Sequence, residues 1–75
     1  MPYQIALMGF NGGYRIKGEQ FENTDDALDF GAIKETAPYI LVVDQSGTVV
    51  RTRGDITALE GHTIEDLSAR FAERL

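Results

Sequence analysis

The amino-acid sequence predicts a small α+β domain with the element order ββαββα. Two segments carry the strand-turn-strand pattern of a β-hairpin with glycine at the turn, and each is followed by a segment with helix-capping and helically spaced apolar residues. We expect a four-stranded antiparallel sheet of order 2-1-3-4, with the two more apolar strands at its centre and both helices on one face.

Length and composition indicate an ordinary folded domain. The 75 residues are 43% hydrophobic and 25% charged, which predicts one domain over residues 1–75 with a modest core. Cysteine is absent, which excludes disulfides and thiol nucleophiles. The N-terminus lacks a basic signal-peptide region and no apolar run approaches the length of a membrane span, so we expect a cytoplasmic protein without membrane association.

The first hairpin is predicted in YQIALMGFNGGYRIKGE. Asn11-Gly12 is the commonest pair in two-residue type I′ turns. In that register Met8 pairs with Arg15, and the two sheet faces follow from the alternation of side chains along each strand. The expected core face carries Ile5, Leu7, Tyr14 and Ile16, and the opposite face carries Ala6, Met8, Phe10, Arg15 and Lys17.

The second hairpin is predicted in YILVVDQSGTVVRTR, with Asp44 first and Gly47 last in a type I turn. Its register is open by one residue, depending on whether Gly47 forms a bulge. The run 39–43 is apolar at every position, which indicates a central strand covered on both sides.

Each hairpin is followed by a predicted helix. The first begins at Asn23 or Thr24 and continues despite Gly31, which costs a helix interior about 1 kcal/mol relative to alanine. Its apolar side is Ala27, Leu28, Phe30 and Ile33. The second is capped by Thr63, and its apolar face is Ile64, Leu67, Phe71 and Leu75.

The two halves resemble each other. Placing residues 2–19 on 38–55 aligns four identical pairs, Pro2 with Pro38, Tyr3 with Tyr39, Arg15 with Arg51 and Gly18 with Gly54. We interpret this as a ββα duplication, with units at about 2–35 and 38–75 related by a pseudo-twofold axis. It also explains the Arg-Gly-Asp tripeptide at 53–55 as a strand end and turn rather than an adhesion ligand.

If both helices cover one face, the other face of the sheet is open. An apolar centre with a basic rim is typical of a protein interface. We therefore expect a non-enzymatic protein-binding module, a regulator or inhibitor, that binds a second copy of itself or another protein, and we favour a homodimer. The expected partner-binding residues are Met8, Phe10, Arg15, Lys17, Ile40, Val42, Val49, Arg51 and Arg53.

Two alternatives use other features. The basic sheet face, with Phe10 as a stacking ring, is an alternative site for single-stranded nucleic acid, but the net charge of −5 argues against this partner. The acidic stretch Glu19, Glu22, Asp25, Asp26 and Asp29 indicates a solvated face, or an inhibitor of a basic nucleic-acid enzyme.

We expect no enzyme activity, cofactor or metal. The single histidine, His62, has no cysteine to activate, and its neighbour Thr63 is expected to cap a helix. Asp25, Asp26 and Asp29 fit a helix start better than a metal site. GFNGGY lacks the Lys-Ser/Thr of a phosphate-binding loop.

Overall fold

Six elements form the fold. A computed structural model describes residues 2–34, 36–53 and 60–73 of the chain. In chain order the elements are β1 (Gln4–Met8), β2 (Tyr14–Ile16), α1 (Thr24–Lys34), β3 (Tyr39–Val43), β4 (Val49–Thr52) and α2 (Ile64–Glu73). This order confirms the predicted ββαββα arrangement.

The strands form one antiparallel sheet of order β2-β1-β3-β4, which confirms the predicted topology. The two apolar strands β1 and β3 pair at its centre, with Ala6 opposite Leu41. The shorter, more polar strands β2 and β4 are therefore the edges.

The first hairpin turn differs from the predicted type I′ turn. The Gly9 N–H donates to the Gly13 carbonyl (2.9 Å), and the Gly12 N–H donates back to the Gly9 carbonyl (3.1 Å), so the loop has three residues. Gly12 has a φ of +88°, whereas no described non-glycine residue has a positive φ. A type I′ turn would need a positive φ at Asn11 as well, so this is a type I turn followed by a glycine bulge.

The extra loop residue shifts the strand register by one. Met8 pairs with Tyr14 and Leu7 with Arg15, where a two-residue loop would have paired Met8 with Arg15. Because directly paired residues project from the same face, Tyr14 and Ile16 share a face with Met8, and Arg15 shares the other face with Leu7. The predicted facing of β2 was wrong for this reason.

The two helices lie on opposite faces of the sheet, which corrects the prediction that both cover one face. Two separate buried clusters show this arrangement. One joins Ile64, Leu67 and Phe71 of α2 to Ala6, Met8, Leu41, Val43 and Val49 of the sheet. The other joins Ala27 of α1, with Leu28 and Phe30 packed against it, to Ile5, Ile40 and Val42.

The alternation of side chains along β3 explains why both faces need a cover. Ile40 and Val42 point to one face and Leu41 and Val43 to the other, and all four are buried. The prediction that this strand is covered on both sides is confirmed. Its covers are two helices of its own chain, so the strand composition does not require a second copy.

Both helices begin at the predicted capping residues. The Asp26 N–H donates to Asn23 Oδ1 (2.8 Å) ahead of α1, and the Asp66 N–H donates to Thr63 Oγ1 (3.1 Å) ahead of α2. On α1 the predicted apolar side is wrong at Ile33, which is 77% exposed. Leu75 of the predicted α2 face lies outside the described residues.

The second hairpin repeats the turn of the first. The Asp44 N–H donates to the Thr48 carbonyl (3.0 Å), the Gly47 N–H to the Asp44 carbonyl (3.1 Å), and Gly47 has a φ of +84°. β1 and β3 with their turns therefore correspond at an offset of 35 residues. β4 then has a bulge that places Arg51 opposite Val42, so the offset becomes 36 and Arg15 corresponds to Arg51.

The predicted ββα duplication is not confirmed. A twofold axis perpendicular to the sheet, between Ala6 and Leu41, exchanges the two hairpins. Rotation about this axis does not exchange the two faces of the sheet. Such an axis would place both helices on one face, whereas α1 and α2 lie on opposite faces. The alignment of Gly18 with Gly54, and with it the end of the Arg-Gly-Asp tripeptide at 54–55, lies outside the described residues.

Candidate functional site

The structure does not bring the nine predicted partner-binding residues together on one open face. Apart from the aromatic Phe10, their four apolar members are buried, and each is covered by one of the two helices. Met8 and Val49 lie beneath α2, and Ile40 and Val42 lie beneath α1. These four side chains therefore hold the fold together.

The basic members are also separated. Arg51 on β4 binds Asp25 and Thr24 at the start of α1, so it links this helix to the sheet. Arg53 is exposed just beyond β4, where its N–H donates to the Ile40 carbonyl (3.3 Å). Arg15 and Lys17 lie on the opposite side of the molecule, in and just after β2.

A different surface remains apolar and exposed, and we call it the β2 edge: Phe10, Tyr14, Arg15 and Ile16. Phe10 is 72% exposed, Tyr14 38% and Ile16 40%. Tyr14 and Ile16 flank Arg15 and point to the α2 side of the sheet. The shifted register creates this surface, since the predicted type I′ turn would have assigned both residues to the core.

The aromatic end of the β2 edge is held in place by packing. The Phe10 ring contacts Tyr39 edge-on with ring centroids 5.6 Å apart, and Tyr39 packs on Phe71 of α2 at 5.1 Å. Ser68 of α2 donates from Oγ to the Gly12 carbonyl (2.6 Å) in the same turn. An exposed ring on a fixed turn loses little conformational entropy on binding.

Arg15 is the cation at the centre of the β2 edge. It is exposed, and it forms no ion pair with any residue that the structure describes. Arg51 and Arg70, by contrast, pair with Asp25 and Asp66. In a chain of net charge −5, the β2 edge therefore presents a local positive charge on the face opposite to Tyr14 and Ile16.

The acidic stretch is on the surface, as expected. Glu19, Glu22, Asp25, Asp26 and Asp29 are all exposed. Asp25 pairs with Arg51, and Asp26 Oδ2 accepts from the Asn23 amide (3.1 Å). These contacts fix the start of α1, which is the structural role that acidic residues at a helix start commonly have.

A shallow cavity of about 410 Å³ lies at the other end of the sheet. It is lined by Tyr3, Asp44, Gln45, Ser46 and Val50. The Asp44 carboxylate accepts the Ser46 hydroxyl (2.7 Å) and the N–H groups of Ser46 (2.9 Å) and Thr48 (3.1 Å). The Ser46 hydroxyl bond is the main reason that the pKa of Asp44 lies below its ordinary value. This carboxylate stabilises its own turn.

His62 belongs to a small polar cluster at the start of α2. Its Nδ1 lies 3.2 Å from Asp66 Oδ2, which Arg70 Nε contacts at 3.1 Å. Thr63 is engaged as the helix cap, so its hydroxyl is not oriented by His62. Within residues 2–34, 36–53 and 60–73, no group of three His, Asp or Glu residues is arranged to hold a metal ion.

Neither α1 nor α2 combines the length and the apolar composition needed to cross a membrane. No protein-family model, curated protein or solved structure matches the chain.

Proposed function

We propose that the chain is a non-enzymatic protein-binding module and that the β2 edge is its contact surface. One observation carries this proposal: two of the large hydrophobic side chains exposed in the described part of the chain, Tyr14 and Ile16, lie on one side of one edge strand, and a third, Phe10, is exposed in the turn that precedes this strand. Single exposed apolar residues are ordinary on small proteins, whereas neighbouring exposed apolar residues beside a cation are typical of a binding surface.

The proposed partner is another protein rather than a second copy. The homodimer was expected because β3 is apolar on both faces and the core is small, and the two helices account for the first of these features. Antiparallel pairing of two copies along the whole of β2, with Tyr14 opposite Ile16, would place Arg15 opposite Arg15 of the partner copy, and like charges directly opposite each other destabilise a sheet. Light scattering over a dilution series tests this point, and a monomer is expected.

We do not propose nucleic-acid binding as a second function. That alternative needs an open sheet face with basic residues around a stacking ring. Both faces carry a helix, and Arg51 is paired with Asp25 on the side away from Phe10.

A comparison of three proteins tests the proposal. The tagged wild-type chain, a Phe10→Ser/Ile16→Ser variant and an Ile33→Ser variant are incubated with extract from the native host, and bound proteins are quantified by mass spectrometry. Ile33 is the matched control because it is 77% exposed but lies on α1. A specific partner should be retained by the wild type and by Ile33→Ser and lost by the double variant.

Circular dichroism and urea unfolding show whether the double variant keeps its fold, which we expect because neither substituted side chain belongs to the two buried clusters. If all three proteins retain the same set at the same level, the β2 edge is not a binding surface and the proposal fails.

A further inference from the structure

The hydrogen-bond pattern of β2 shows which of its backbone groups face outward. In the first hairpin the Gly9 N–H bonds to the Gly13 carbonyl, and the Lys17 N–H bonds to the Ile5 carbonyl (2.8 Å). Directly opposed residues in an antiparallel pair alternate between hydrogen-bonded and non-hydrogen-bonded positions. Tyr14 and Ile16 fall on the non-hydrogen-bonded positions, so their N–H and C=O groups point away from β1.

The other edge of the sheet is partly occupied. The Val49 N–H of β4 donates to the His62 carbonyl (2.8 Å), and the Gly61 N–H donates to the Val49 carbonyl (2.8 Å). The loop before α2 thus pairs with the start of β4. No described residue pairs with β2 on its outer side, so β2 is the edge at which a further strand has room to add.

The side chains of β2 alternate in chemistry. Tyr14 and Ile16 point to the α2 side, and Arg15 points to the α1 side together with Leu7. A strand added to β2 would therefore meet two apolar side chains on one face and the cation of Arg15 between them on the other.

We propose that the partner adds to β2 as an extended strand in which apolar and acidic residues alternate. Its apolar side chains would pack on Tyr14 and Ile16, and a carboxylate between them would face Arg15. Main-chain hydrogen bonds to Tyr14 and Ile16 provide the common part of the affinity, and the alternation provides the selectivity. This inference rests on the proposed function and adds the chemistry of the bound segment.

Synthetic peptides test the alternation directly. Three blocked peptides are titrated into the ¹⁵N-labelled full chain: Thr-Val-Glu-Val-Glu-Val-Thr, the same composition in the order Thr-Val-Val-Val-Glu-Glu-Thr, and the first with lysine in place of glutamate. We expect the alternating acidic peptide to bind at least about tenfold more tightly than the other two, since the matched cross-strand pairs exist only in that complex. The Tyr14 and Ile16 amides should shift and become protected from exchange.

A charge-reversed variant provides the matched control. Arg15→Glu should weaken binding of the acidic peptide and strengthen binding of the lysine peptide, whereas Arg70→Glu on α2 should change neither. The inference is overturned if the reordered peptide Thr-Val-Val-Val-Glu-Glu-Thr binds as tightly as the alternating acidic peptide, or if the Tyr14 and Ile16 amides are unaffected. It is also overturned if a single-stranded oligonucleotide shifts the same residues as strongly as the alternating acidic peptide.

The two proposals can fail separately. If no peptide binds but Phe10→Ser/Ile16→Ser still loses a partner from the extract, the β2 edge binds proteins by another mode and only strand addition is wrong. If neither peptides nor extract distinguish the variants, both proposals are wrong.

Discussion

Ser68 of α2 donates a 2.6 Å hydrogen bond from its Oγ to the carbonyl oxygen of Gly12 in the first hairpin turn. The two residues are 56 positions apart in the chain. α2 begins beside the β3–β4 turn, and this bond attaches it to the β1–β2 turn at the other end of the sheet. The contact matters for the proposed function because the same turn presents Phe10.

Gly12→Ala should destabilise the fold more than Gly47→Ala does. Both glycines have φ values near +85°, at +88° and +84°, so an alanine at either position carries a backbone strain of about 1–2 kcal/mol. At Gly12 the added Cβ would also overlap the Ser68 carbonyl oxygen and crowd the Ala72 nitrogen at 3.1 Å, whereas at Gly47 the added Cβ would lie 3.8 Å from Ile64 Cγ2, an ordinary van der Waals distance. Urea unfolding of both variants measures the difference.

The pair of variants separates backbone strain from helix packing. A larger loss for Gly12→Ala, by roughly 1–3 kcal/mol, measures the displacement of α2 from the turn. Equal losses would contradict the packing of α2 against Gly12.

Gly31→Ala should destabilise the protein although alanine is the better helix former. Helix propensity alone favours alanine by about 1 kcal/mol. Gly31 is buried against the sheet, however, and a Cβ there would lie 2.6 Å from Ile40 Cγ2, a methyl on a stiff β-branched side chain. We expect a net loss of about 1–2 kcal/mol from this overpacking.

The coupling of Gly31 with Ile40 is the check. Ile40→Ala removes the opposing methyl group, so the double variant should lose less stability than the sum of the two single losses. Additive losses, or a Gly31→Ala variant more stable than the wild type, would contradict the close packing of Gly31 against Ile40.

The sequence predicts the elements and the strand order because both depend on local patterns. The caps at Asn23 and Thr63 and the alternation in β3 are present within a few residues. The predicted turn type was wrong because Gly12 fits both a two-residue and a three-residue loop. Which loop forms depends on long-range contacts such as the Ser68 bond to Gly12. The one extra residue in the loop decides which side chains of β2 point to each face of the sheet, and this determines which residues form the candidate site.

The placement of the helices had no local signal. An apolar helix face packs equally well on either side of a sheet whose central strands are apolar on both sides. The short connections and the total core packing decide the side, and neither is visible in a hydrophobic pattern. The expectation of an open sheet face, and of Met8 and Val42 as contact residues, failed for this reason.

Thr52→Val should stabilise the protein. Thr52 is 7% exposed, and its Oγ1 has no hydrogen-bond partner among the residues that the structure describes. An unsatisfied buried hydroxyl costs about 1–3 kcal/mol, and valine has nearly the same shape, so we expect a gain of about 1 kcal/mol in the free energy of unfolding. Thr48→Val is the control, because the Thr48 hydroxyl lies 3.1 Å from Ser46 Oγ and its removal should lower the free energy of unfolding. A destabilised Thr52→Val variant would reveal a partner for this hydroxyl.

Asp44 should make stability depend on pH in the acid range. Its pKa lies below the ordinary value of 3.8, chiefly because the Ser46 hydroxyl donates to the carboxylate, and backbone N–H groups of Thr48, Ser46 and Gly47 add to this. A carboxyl whose pKa is lower in the folded state contributes stability above its unfolded pKa and loses it as the pH falls through the folded pKa.

The advantage of the wild type over Asp44→Asn in urea midpoint should thus be largest above about pH 5 and shrink as the pH falls below 3.8. Ser46→Ala removes the main donor, so it should raise the pKa of Asp44 toward its ordinary value, as followed by NMR titration of the Asp44 carboxyl carbon. A stability difference that stays constant from neutral pH to pH 2 would show that the turn does not depend on the ionised carboxylate.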